Sequence, residues 1–155
     1  MTAEKFVDSE LKKEIETKLK SVKQQTAALW AAVCSDHVIQ YFEREHPQDN
    51  RPRQAIAAAR SWARGRVSVD EAQKAALAAD AAACEAIGAA AVAAARSAGQ
   101  TAATAHMFDR AIRASTYAAI SVFYAADGEP EAVEKERTWQ YDRLCELAIL
   151  INKGI

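Results

Sequence analysis

The residues of this chain that are best suited to chemistry lie in one short polar stretch around two arginines. Arg51 and Arg53 follow His46-Pro47 and Asp49, and both arginines fall in the first turn of a predicted helix. The amino end of a helix carries partial positive charge, so it favours carboxylates and disfavours guanidinium groups. Local conflicts of this kind often occur at functional or strongly paired positions, so this stretch is the first candidate for a binding site.

Two explanations of the arginine pair remain open on the sequence. In the first, Glu43, Glu45 and Asp49 form a buried or half-buried ion-pair cluster with the arginines and so fix the turn between two helices. In the second, the stretch is a polar surface presented to a partner, because arginine is enriched at binding hot spots. Three further arginines continue the basic character along the same region: Arg60, Arg64 and Arg66.

The cysteines and histidines form no recognisable metal or nucleophile pattern. Cys34 and His37 are one helical turn apart, but zinc usually takes four ligands, and His46 and His106 add no further ligand spacing. We therefore interpret His37 as a core histidine bonded to a backbone carbonyl, and His106 as a cap on carbonyls at a helix end. The chain also has no glycine-rich phosphate loop, G-x-S-x-G elbow or paired-carboxylate motif. The sequence predicts no catalytic residue, metal or cofactor, and hence no enzyme.

Alanine dominates the elements that must position these groups. The chain has 155 residues, of which 37 are alanine, with only five glycines and three prolines to interrupt helices. Alanine has the highest intrinsic helix propensity, so the composition predicts an all-α fold of about seven helices in one compact domain over 1–155. Alanine also lets helix axes approach to about 8 Å, which favours an orthogonal or superhelical array around a central buried helix.

Capping residues predict where several of the helices begin. Asp8 or Ser9 caps a short first helix within 1–20, and capping boxes at Ser21 and Ser68 open the second and fourth helices. The second helix ends just before Pro47, because the residue before a proline avoids the α region.

Two of the predicted helices have distinctive apolar patterns. The sixth, at about 107–126, is apolar on nearly all sides, so we expect other helices to surround it. The last helix, within 129–155, has an apolar face that is expected to be buried. The buried positions of that helix are Trp139, Leu144, Leu147, Ala148 and Ile151.

Charge and cysteine content restrict the partners and the compartment. The chain has 20 basic and 21 acidic side chains, and this balance does not favour nucleic acid as a partner. The apolar runs contain charged residues, so we expect no membrane-spanning helix. The odd number of cysteines, far apart in sequence, predicts free thiols and a cytoplasmic protein.

Several motifs resemble the all-helical, immunity-five-like family of immunity proteins that are encoded beside bacterial polymorphic toxins. The resemblance covers about 27–122, so the first and last helices lie outside it. It rests on these residues: Ala28-Leu29-Trp30-Ala31-Ala32-x-Cys34, Val38-Ile39, Phe42-Glu43, His46-Pro47-x-Asp49-x-Arg51-Pro52-Arg53-x-Ala55-Ile56, Ala59-Arg60-x-Trp62 and Thr104-Ala105-His106.

The resemblance implies a cytoplasmic protein that binds a toxin domain and neutralises it by covering it. The binding residues that it implies are Asp36, Glu43, His46, Asp49, Arg51, Arg53, Arg60 and His106. Two other functions remain open. One is a structural or regulatory protein that forms a homodimer through the last helix. The other is a small-molecule-binding or enzymatic domain with a polar pocket around His37, Asp49, Arg51 and His106.

Overall fold

The computed structural model of the protein describes residues 5–152, and this part of the chain folds into seven α-helices without a β-strand. The all-α prediction is therefore confirmed. The helices are α1 (Leu11–Leu19), α2 (Gln24–Glu45), α3 (Arg51–Ala63), α4 (Val69–Glu85), α5 (Ala89–Ala103), α6 (Arg110–Ala125) and α7 (Pro130–Asn152). None of the helices in the described part is long and apolar enough to cross a membrane.

The helix at the centre of the fold is α5, which packs against α2, α3, α4 and α6. Its buried positions carry only alanine, serine, glycine and threonine, and these small side chains let four neighbours approach closely. A central buried helix was expected at the sixth position, because that segment is the more apolar. That expectation is wrong: α6 packs against α2, α5 and α7, but Arg113 and Tyr124 on its remaining side are exposed.

One glycine shows how tightly α4 and α5 pack. A Cβ atom at Gly99 would collide with the Asp80 carboxylate and lie 3.3 Å from the carbonyl oxygen of Ala76. Burial against α5 raises the pKa of the Asp80 carboxyl above its ordinary value. Glycine at this position therefore allows a polar side chain of α4 to cross the surface of α5.

The predicted helix starts are only partly confirmed. The Ser68 hydroxyl accepts a hydrogen bond from the Glu71 N–H at 3.1 Å, as the capping box predicts. The Ser9 hydroxyl accepts from the Leu11 N–H at 3.0 Å, although the residue directly before α1 is Glu10, whose side chain makes no capping bond. The box at Ser21 is wrong, because that hydroxyl donates to the Lys18 carbonyl at 2.7 Å and so satisfies the end of α1 instead.

A buried arginine joins α7 to α6 and to the segment before α1. Arg137 is fully buried, and its guanidinium donates to both carboxylate oxygens of Asp8 at 3.0 and 2.7 Å. Further donors reach the hydroxyls of Ser115 and Thr116 and the side-chain oxygen of Gln140. Burial opposes ionisation of Asp8, but the contacts with Arg137 outweigh it and lower the pKa of this carboxyl.

The apolar face of α7 is largely used inside the molecule. Leu144 is fully buried and Ala148 is nearly so, which confirms those two predictions, whereas Leu147 is half-buried. Trp139 was expected to be buried but is only half-buried. Its ring lies at the surface, stacked on the exposed side chain of His37 on α2. The side chain of Ile151 lies outside the described part of the chain.

Candidate functional site

The turn between α2 and α3 is held by an ion-pair cluster, which we call the turn cluster: Asp49, Arg51 and Glu85. Asp49 accepts hydrogen bonds from the Arg51 backbone N–H and from the Arg51 guanidinium, the shortest at 2.7 Å. The same guanidinium also donates to Glu85 at the end of α4. The turn cluster therefore ties the start of α3 to two other elements.

Glu45 does not join this cluster, although the sequence suggested that it would. Its carboxylate accepts from the backbone N–H groups of Ile87 and Gly88 at 2.9 and 2.7 Å, just before α5 begins. The side chain of His46 lies 2.6 Å from the same carboxylate. The free N–H groups at a helix start attract an anion, so Glu45 is better placed there than beside an arginine. These two N–H bonds lower the pKa of the Glu45 carboxyl.

A second cluster, which we call the face cluster, lies along α2 and α3 and consists of Asp36, Glu43, Arg53 and Arg60. The Arg53 guanidinium donates to both oxygens of Glu43 at 2.7 Å and more weakly to Asp36 at 3.4 Å. Arg60 lies 3.7 Å from Asp36. About half of the Arg53 side chain is exposed, so the face cluster lies at the surface.

The carboxylates in these clusters remove the conflict at the start of α3. The paired guanidinium of Arg53 lowers the pKa of the Glu43 carboxyl, and that of Arg51 lowers the pKa of the Asp49 carboxyl. The pKa of each arginine is raised in return by the same hydrogen bonds. Each positive charge at the helix start therefore has a carboxylate in contact with it.

Beside the face cluster lies an open cleft of about 460 Å³ between α2, α3 and α7. Its apolar part comes from Val33 and Ile39 of α2 and Trp139 of α7. Its polar part comes from His37 and Gln40 together with three members of the face cluster: Asp36, Arg53 and Arg60. A second open depression of about 460 Å³ follows the turn over 45–50.

His37 lies in the cleft between α2, α3 and α7 and does not bond to a carbonyl in the core. The side chain is about 41% exposed, and its Nδ1 lies 2.9 Å from the carboxylate of the buried Glu136. The ring also stacks on Trp139, with 3.7 Å between the ring centres. The hydrogen bond to Glu136 raises the pKa of His37 against the opposing effect of burial. The core-histidine prediction is therefore wrong: the ring lies at the surface, and its partner is the buried carboxylate of Glu136 on α7, a contact that the sequence does not reveal.

His106 lies far from the other residues that the resemblance implies. Gln24 at the start of α2 donates to the carbonyls of Thr104 and Ala105, so His106 lies near that end of α2. The turn cluster lies beyond the other end, roughly 30 Å away at the usual helical rise. The side chain of His106 is exposed and donates to no carbonyl of residues 5–152, so the prediction that it caps a helix end is wrong. The pocket of His37, Asp49, Arg51 and His106 therefore does not form.

The sequence did not identify four residues of the cleft as site residues: Val33, Ile39, Gln40 and Trp139. Val33 and Gln40 flank Asp36 on α2 and could have been found by helical spacing from it. Trp139 could not, because no sequence pattern places α7 beside α2 and α3. Within 5–152, no three His, Cys, Asp or Glu side chains are grouped closely enough to bind a metal ion.

A comparison with protein-family models identifies the family of the chain. Residues 17–147 match the model described as Imm-5 like putative immunity protein. The chain belongs to this family. The match extends beyond the 27–122 stretch marked by the motifs and includes the end of α1 and most of α7. No curated protein and no solved structure matches the chain. For this member of the immunity family, the cleft, the turn cluster and the face cluster are the candidate binding features.

Proposed function

We propose that the protein is a non-catalytic immunity protein of the cytoplasm that binds one cognate bacterial toxin domain and neutralises it by covering it. The binding surface in this proposal is the cleft with the face cluster and the turn cluster. It includes six of the eight residues that the resemblance implied and leaves out His46 and His106. The proposal is supported by the membership of the immunity family and by the form of this surface.

The observation that carries the proposal is the combination of an apolar floor and a charged rim in one open cleft. Trp139 and two arginines, Arg53 and Arg60, line it together with aliphatic side chains. Tryptophan and arginine are the residues most enriched at protein-binding hot spots. An open cleft of this kind suits a protruding segment of another protein better than an enclosed small molecule.

The ion pairs of the face cluster suit a recognition role because they hold long side chains in place. The bidentate contact with Glu43 restricts the Arg53 guanidinium while about half of its side chain stays exposed. A partner that binds an ordered arginine loses less side-chain entropy than one that binds a mobile arginine. Charges at the rim also steer the encounter, and they do so more strongly at low salt.

The test is co-expression in a bacterial host with the toxin domain encoded beside this gene. We expect the wild-type protein to restore growth and to co-purify with the toxin in a fixed ratio. Trp139→Ala combined with Arg53→Glu should restore growth poorly while remaining folded. Arg113→Glu, on an exposed position of α6, is the matched surface control and should protect fully. Protection without any complex would contradict neutralisation by binding.

Self-association through α7 is a second candidate, favoured by one observation. Most of the predicted face is packed inside, but Ile149 and Leu150 near the end of α7 are 54% and 44% exposed. Two exposed aliphatic side chains on one helix end suit a small contact between copies. Sedimentation of the wild type and of Ile149→Lys across concentrations tests this. A monomer at every concentration would exclude a homodimer.

A further inference from the structure

The arginines of α3 differ in how completely they are paired. Arg53 is in bidentate contact with Glu43, and Arg51 is in bidentate contact with Asp49. Arg60 has only the contact with Asp36 at 3.7 Å, and Asp36 is shared with Arg53. The first half of α3 is therefore neutralised by neighbouring carboxylates, and the second half is not.

The excess of positive charge continues past the end of α3. Arg64 and Arg66 are exposed, and no carboxylate of residues 5–152 lies within 4.0 Å of either guanidinium. The pairs Arg53–Glu43 and Arg60–Asp36 show that α2 and α3 run antiparallel, because a step of seven residues forward on α3 matches a step of seven residues back on α2. In that register Arg64 lies beside the first half of α2, where residues 24–35 include no acidic side chain.

Arg60, the first arginine of this row, connects it to the cleft. Arg60 lines the cleft together with Val33 and Trp139. Trp139 is held by the stacked ring of His37, and the Arg143 guanidinium lies 5.6 Å from its ring. An ordered aromatic side chain beside the weakly paired guanidinium group of Arg60 offers an apolar contact and a place for a carboxylate in one surface.

We propose that the cleft and the row of Arg60, Arg64 and Arg66 dock an acidic segment of a protein partner, with an apolar side chain against Trp139. This inference rests on the proposed function and adds the charge of the toxin segment that is recognised. A nucleic acid fits the surface less well, because phosphate binding usually uses many cationic contacts and the same cleft carries Asp36.

The test uses defined probes in place of the toxin. One is a short glutamate-rich peptide with a central leucine, the second is its lysine-rich counterpart, and the third is a DNA duplex. Binding is followed by NMR titration of the Trp139 indole and the α3 amides. We expect the glutamate peptide to bind most tightly, to shift these signals, and to weaken as salt is raised.

The variant Arg60→Glu with Arg64→Glu should weaken binding of the glutamate peptide by about tenfold. Arg113→Glu reverses one arginine charge on an exposed position of α6 and should leave peptide binding unaltered. Both variants should unfold at the wild-type temperature, because these side chains are exposed or weakly paired. The inference would be overturned if the lysine peptide bound as tightly as the glutamate peptide, or if Arg113→Glu lost as much affinity as the double variant. Tighter binding of the DNA duplex, with shifts of the Trp139 indole and the α3 amides, would also overturn it.

The two proposals fail in different ways. If the toxin is not neutralised but the glutamate peptide binds as described, the proposed function is wrong and the acidic docking surface stands. If the Arg60→Glu, Arg64→Glu variant neutralises the toxin as well as the wild type, the proposed function stands and the docking of an acidic segment is wrong.

Discussion

Two arginines in this molecule make nearly the same contact in opposite surroundings. Arg53 on α3 and Arg137 on α7 each donate two hydrogen bonds to one carboxylate, of Glu43 and Asp8 respectively. About half of the Arg53 side chain is exposed, whereas that of Arg137 is fully buried. Arg137 also bonds to α6 and to its own helix, so its donors are used inside the fold.

The difference shows which charges the fold requires and which it leaves available. An exposed ion pair contributes about 0.2–1 kcal/mol, because water solvates both charges almost as well. Removing one partner of a buried pair costs about 3–5 kcal/mol, because the other charge is left without compensation. The face cluster can therefore be altered without loss of the fold, whereas the contacts of Arg137 cannot.

The largest effect is expected from Arg137→Leu. This change removes the charge that compensates Asp8 and leaves the buried polar groups of Ser115 and Gln140 without their donor. Because about a fifth of the Asp8 side chain is exposed, we expect the free energy of unfolding to fall by about 3 kcal/mol, the lower end of the range for a buried pair, measured by urea denaturation. Arg113→Leu, at an exposed position of α6, is the control and should change it by less than about 0.5 kcal/mol. A loss of similar size in both variants would show that Arg137 contributes no more to stability than an exposed arginine.

An intermediate effect is expected from Glu45→Ala, which removes the acceptor of two N–H groups at the start of α5. Loss of a helix cap costs about 1–2 kcal/mol. Glu134→Ala on the exposed side of α7 removes the same side chain without such bonds and should have almost no effect on thermal unfolding. An unchanged unfolding temperature for Glu45→Ala would show that this cap does not stabilise α5.

A smaller effect on stability is expected from Arg53→Ala. The pair with Glu43 is exposed, so the free energy of unfolding should fall by less than about 1 kcal/mol. The pKa of Glu43 should rise towards its ordinary value, because the hydrogen bond from Arg53 is what lowers it. NMR titration of the Glu43 carboxyl checks this shift. A stability loss as large as that of Arg137→Leu would remove the distinction between the two arginines.

The smallest effect is a pH dependence of stability caused by His37, whose exposed ring is paired with the buried carboxylate of Glu136. Its hydrogen bond with Glu136 raises the pKa in the folded state above the ordinary value near 6.5. The stabilisation by the charged ring is therefore complete below about pH 6.5 and is lost as pH rises through the folded-state pKa. Unfolding measured across this range should show the decline in the wild type. His37→Gln and Glu136→Gln should each flatten it, and a decline that persists in both would have another cause.

The sequence predicted the fold well where local chemistry decides it. Ser68 and Glu71 cap α4 as expected, because both partners of the cap lie within one turn. Alanine content predicted close helix packing, but it could not show that α5 is the central helix, since that depends on which helices meet. Ser21 fits the capping-box pattern equally well, yet its hydroxyl bonds back to α1.

The candidate site was predictable along α2 and α3 and not beyond them. Arg53 and Glu43 are close in sequence, so their pairing followed from one helical hairpin. Arg137 stands among charged residues that look like a solvated surface, and its partner Asp8 is 129 residues away. The stacking of Trp139 on His37 likewise depends on the approach of two distant helices.

The central claim is that the surface of α2 and α3 binds a toxin with charges that the fold does not need. Isothermal titration calorimetry of the cognate toxin domain with Arg53→Gln, Arg60→Gln tests it most directly, with urea unfolding of the same sample. We expect an affinity at least about tenfold below that of the wild type, with the free energy of unfolding within about 1 kcal/mol. An unchanged affinity in this folded double variant would contradict it.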